Sequence, residues 1–105
     1  MKINVLGTEY EIVYKSVEEY SRLMQNEAIT NTNDKTIVIS KRERPEGYTN
    51  KIIRHEIIHA FLHESGLSCN SYNTEYGWAE NEEMVDWFAI QSPKIFEVYS
   101  KLGIL

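Results

Sequence analysis

Thr49-Asn50-Lys51-Ile52-Ile53-Arg54-His55-Glu56-Ile57-Ile58-His59-Ala60-Phe61-Leu62-His63-Glu64-Ser65 is the stretch that organises the chain. It contains no Pro or Gly, it is long enough for four helical turns, and Gly66 stands just past it as a C-terminal stop. A helix from Thr49 or Asn50 to Ser65 is predicted. Inside it lies His55-Glu56-Ile57-Ile58-His59, an HExxH motif. Residues four apart share one helical face, so the imidazoles of His55 and His59 can converge on one Zn²⁺. Glu56 projects to the side of that face, where it can act as general base towards a metal-activated water.

A catalytic zinc needs three protein ligands and one open position. His63 continues the spacing of four, but it stands about 12 Å from His55 along the helix axis, too far for a shared ion. It is left as a possible cleft residue. The downstream run Asn81-Glu82-Glu83-Met84-Val85-Asp86 offers a better third ligand. Glu82 and Asp86 share a helical face, so Glu82 can complete the donor set while Asp86 accepts the free ring N–H of a ligating histidine. Glu83 lies about 100° away without an acid at +4 and is the alternative. Tyr72 and Tyr76, between the two motif segments, are further possible cleft residues. Cys69 reads as a bystander.

Outward from the motif, residues 2–6 and 9–14 alternate about Gly7-Thr8 and predict a β-hairpin. Ser16 followed by Glu19 fits a capping box, and Val17, Tyr20, Leu23 and Met24 form an apolar stripe, predicting a helix to about residue 28. A polar turn over 31–35 precedes a short strand, 36–40, apolar on both faces. The basic run Lys41-Arg42-Glu43-Arg44 reads as a solvated loop. A helix over roughly 75–91 follows, and Ser92-Pro93 reads as the cap and first residue of a last helix ending at Gly103. The expected architecture is α+β, a small three-stranded sheet (hairpin plus one strand) with about four helices. Residues 1–105 read as a single domain. Trp78, Trp87 and Phe88 are expected in the core.

The 105 residues carry a formal charge of -5. Residues 1–54 hold nine Lys/Arg against eight Asp/Glu, and residues 55–105 hold two against eight. That bias is opposite to a nucleic-acid binder's. No run approaches a membrane span, and the N-terminus lacks the apolar core of a signal peptide. A single cysteine excludes an internal disulfide framework and suits a reducing compartment. A cytoplasmic protein is expected, with no nucleic-acid or membrane partner.

The run His55 to Leu67 (HEIIHAFLHESGL) together with Trp78 to Gln91 (WAENEEMVDWFAIQ) resembles gluzincin zinc peptidases, in particular the ImmA/IrrE-type family and small phage- and prophage-encoded zinc metallopeptidases. The resemblance covers roughly residues 51–97. It implies a minimal zincin core whose short sheet flanks the metal helix, with one edge strand, 36–40, pairing with an extended peptide or protein substrate. The function expected is a zinc-dependent peptidase-like hydrolase in a bacterial host cell. The alternative is a non-catalytic, zinc-stabilised regulatory module, which a small core would favour.

Overall fold

A computed structural model describes residues 1–68, 71 and 77–105. The first hairpin joins β1 (Lys2–Val5) to β2 (Thr8–Lys15), with Ile3 opposite Tyr10 and Val5 opposite Thr8. Leu6 and Gly7 form its turn at φ 51° and 91°, the left-handed pair that matches strand twist. A second hairpin joins β3 (Ala28–Asn31) to β4 (Thr36–Ser40). The Asn31 side chain accepts from the amides of Asn33 and Asp34, both at 3.0 Å, and so closes the turn. β4 lies parallel to β2, and the sheet order is β1-β2-β4-β3.

Helix α1 (Glu46–Glu64) covers one sheet face. Tyr10, Ile12, Ile37, Ile39, Val5 and Ala60 form the buried core there, with Ile53 and Ile57 packed against it. Ile52, Glu56 and Ala60 are the buried residues of α1, one turn apart. On the other face Ile29 pairs with Val38, and both are buried. Helix α2 (Glu82–Leu102) packs on α1.

The expected three-stranded sheet with about four helices is therefore corrected. Among the described residues there are four strands in a mixed sheet and two α-helices. The capping box of Ser16 and Glu19 does form, with reciprocal bonds of 2.9 and 3.3 Å. No α-helix follows it. The chain makes only a 3-10 turn, Ser21–Met24, which buries Leu23 and leaves Met24 exposed. Residues 28–31 gain more by pairing with β4, where Ile29 becomes buried, and tertiary pairing overrides the weak helical stripe.

The two C-terminal helices are one. Pro93 lies inside α2, whose N-cap is Asn81, accepting from the Met84 amide at 2.9 Å. A proline cannot donate to the carbonyl four residues back. Here that carbonyl, Ala89, accepts instead from Arg54 Nε of α1 at 2.7 Å. The bond that Pro93 removes is replaced from the neighbouring helix, and α2 runs on to Gly103, where φ is 66°. Trp78, Trp87 and Phe88 are exposed, at 63, 53 and 40%, and do not belong to the core. The basic run is not simply solvated either: the Arg44 side chain is only 7% exposed, donating to Glu27 at 2.7 Å and to the Ser40 carbonyl at 2.8 Å.

Candidate metal centre

The metal-facing stripe of α1 lies beside its buried stripe. Lys51, His55, His59 and His63 follow one another at intervals of four, next to Ile52, Glu56 and Ala60. Each of the two motif imidazoles has one nitrogen committed. His55 Nδ1 lies 3.1 Å from Asp86 Oδ1, and His59 Nδ1 lies 2.5 Å from the Ala79 carbonyl oxygen. A carboxylate and a carbonyl only accept, so both Nδ1 atoms donate to them, and the two Nε2 atoms are turned towards each other and Glu82. These Nε2 atoms are 3.1 Å apart. Glu82 Oε1 lies 2.5 Å from His59 Nε2 and 3.5 Å from His55 Nε2.

Two imidazole Nε2 atoms and one carboxylate oxygen thus face one point. That is the chemistry of a donor set for a cation, and all three atoms lie within 4.8 Å of one another. His55, His59 and Glu82 form a His/His/Glu cluster typical of a zinc site. With Glu56 beside them, they match the geometry of a catalytic HExxH-type site.

The supporting contacts come from three elements. Asp86 stands one turn into α2 from Glu82 and is held by Lys51 Nζ at 3.0 Å. The Lys51 ammonium, and then His55, keep the Asp86 carboxyl below its usual range. Ala79 belongs to a 3-10 turn, Trp78–Glu80, fastened to the segment just past α1 by bonds of 3.0 Å from the Gly77 amide to the Ser68 carbonyl and from the Ala79 amide to the Leu67 carbonyl. Gly77 permits this approach: a Cβ there would stand 2.0 Å from the Leu67 carbonyl oxygen.

Glu56 is 9% exposed, and its Oε1 accepts from the Thr30 hydroxyl of β3 at 2.8 Å. Its Oε2 faces the cluster, 4.0 Å from His55 Nε2. A cleft of about 440 Å³ opens over these groups, lined along one side by β3 and closed by His59, His63, Ala79 and Glu82.

Glu82 is the acid that reaches the imidazoles, while Glu83 lines a separate depression with Met84 and Trp87. His63 lines the cleft and stands outside the three-donor cluster. Tyr72, Tyr76 and Cys69 fall outside the described residues. The strand expected to receive substrate, 36–40, is displaced from that role. β4 is bonded by β2 on one side and β3 on the other, so the edge strand beside the cleft is β3. Sequence reasoning missed Thr30, Lys51 and the Ala79 carbonyl. Lys51 carried a readable signal, since it stands four residues before His55. Compared with known proteins, the chain matches no family model, no curated sequence and no solved structure.

Proposed function

We propose that the protein is a gluzincin-type, zinc-dependent peptidase-like hydrolase in which His55, His59 and Glu82 hold the metal and Asp86 orients His55. The observation that carries this reading is the convergence of the three donor atoms beside a buried carboxylate with one oxygen aimed at them. Bound there, Zn²⁺ would supply Lewis-acid polarisation of a carbonyl and lower the pKa of a water. Glu56 Oε2 is the proton acceptor for the attacking water and returns that proton to the leaving amine. The outer edge of β3, which no other strand pairs among the described residues, suits main-chain pairing with an extended peptide along the cleft. Affinity with ImmA/IrrE-type peptidases of phage or prophage origin belongs to the same reading and is supported by the two motif helices. A single domain in a reducing bacterial cytoplasm also belongs to it, supported by one shared core and a lone cysteine. No described helix is long and apolar enough to cross a membrane.

A purely structural zinc site joining α1 to α2 is the competing reading, favoured by the donors' coming from both helices. Glu56 separates the two, because a structural site has no use for a base. Glu56→Gln is expected to keep its zinc and its fold and to lose cleavage of a quenched-fluorescence peptide library by at least about a hundredfold. Equal cleavage by wild type and variant, or none by wild type, would leave the structural site as the better account.

A further inference from the structure

Glu56 occupies a helical stripe whose other members, Ile52 and Ala60, are buried. A carboxylate in that position needs a donor. Thr30 of β3 supplies it, and the geometry is more specific than a simple partner. The Thr30 hydroxyl stands 2.8 Å from Glu56 Oε1 and 2.9 Å from the main-chain carbonyl oxygen of the same residue. One hydroxyl hydrogen therefore has two acceptors on a single residue.

We propose that Thr30 is a positioning residue for Glu56, and that its hydroxyl holds Oε1 so that Oε2 is the oxygen that receives and returns the proton. This rests on the hydrolase reading of Glu56. With the carboxylate ionised, it is the stronger acceptor, and the hydroxyl donates to Oε1. Once Oε2 has taken a proton, the same hydrogen can rotate about the Cβ–Oγ bond to the carbonyl oxygen without moving a heavy atom. Thr30 stays bonded in both states, and the carboxyl group keeps one orientation throughout. The placement is rigid for two reasons. Thr30 sits opposite Ile37 in the β3–β4 register, and a β-branched side chain in a strand has restricted χ1. Thr30 thus places a hydroxyl beside the apolar residues Ala28, Ile37 and Ile39 of the same two strands.

Thr30→Val removes the hydroxyl and keeps the branched shape, and Thr30→Ser keeps the hydroxyl. With zinc-reconstituted protein and one quenched peptide that the wild type cleaves, Thr30→Val is expected to lower kcat roughly tenfold at unchanged KM and zinc content. Thr30→Ser is expected to recover kcat to within about threefold. A readout independent of turnover is the carbon-13 carboxyl resonance of Glu56 in the metal-free protein, assigned by its loss in Glu56→Gln. It should move in Thr30→Val and return in Thr30→Ser. Thr30→Ala makes the same comparison if the valine variant does not fold. Wild-type kcat in the hydroxyl-free variant, or an unmoved resonance, overturns the proposal. A wild type that cleaves no peptide while the resonance moves as expected overturns the hydrolase reading and leaves the Thr30–Glu56 bond standing.

Discussion

Asp86 is bound from two sides, by the ring of His55 and by the ammonium of Lys51, and this makes it more than an acid near the site. Its carboxylate fixes the His55 tautomer, and Lys51 fixes the carboxylate. Asp86→Asn can present its amide N–H to Nδ1 and so favour the wrong tautomer. It is expected to weaken zinc affinity about 10–100-fold, measured by competition with a chromophoric chelator, with Lys51→Met giving a smaller loss in the same direction. An unchanged affinity in Asp86→Asn would remove Asp86 from the site. How far the site was readable differs residue by residue. His55, Glu56, His59, Glu82 and Asp86 announce themselves through spacings of three and four within helices, which dictate shared faces. Thr30 and the Ala79 carbonyl carry no such spacing. One reaches the site through a strand pairing 26 residues away in sequence, and the other contributes only a main-chain atom.

At the scale of elements, the Arg54–Pro93 relation shows why local rules misplaced a boundary. Ser92-Pro93 is a good helix start in isolation. What keeps it inside α2 is a donor from α1, which no reading of residues 75–103 alone contains. Arg54→Met should lower stability to urea by about 1–2 kcal/mol, because the Ala89 carbonyl loses the Arg54 donor. In a Pro93→Ala background the backbone amide is restored, and the same substitution should cost about 1 kcal/mol less, a coupling read from the four unfolding midpoints. Strict additivity would show that the Arg54 bond does not compensate for Pro93. The error over residues 17–28 has the same origin. Its capping box is real, but the helix it would start has only Leu23 to bury, and β4 offers residues 28–31 a better partner. The first hairpin and α1, whose signals are local and mutually consistent, were legible to within a few residues.

For the molecule as a whole, Glu64 at the end of α1 ties the helix to both hairpins. It accepts from the hydroxyls of Thr8 at 3.0 Å and Tyr10 at 2.7 Å, and from Lys35 Nζ at 2.9 Å. Lys35 and then Tyr10 hold its carboxyl down at about 2, against an ordinary value of 4.5. A depressed carboxyl stabilises the fold fully above its unfolded value and loses that contribution as pH falls from about 4.5 towards 2. Glu64→Gln should therefore be less stable than wild type at neutral pH, with the gap in urea midpoint closing across that window. A constant gap would show that the ion pair does not govern it. Burial, with the Glu64 carboxylate beside it, pushes the Tyr10 phenol up, so Tyr10 remains a donor throughout that range. The acidic second half of the chain also takes on a different meaning. Of its eight acids, Glu56, Glu82 and Asp86 stand at the candidate metal centre and Glu64 at this junction, so the charge bias is half architectural. Everything in the functional reading depends on that centre holding a metal. The direct measurement is zinc content by elemental analysis after reconstitution and desalting, for wild type, Glu82→Ala and Glu83→Ala. About one zinc per chain is expected in wild type and Glu83→Ala, with most of it lost in Glu82→Ala. A wild type that retains no zinc, or a Glu82→Ala variant that holds as much as wild type, would contradict the account.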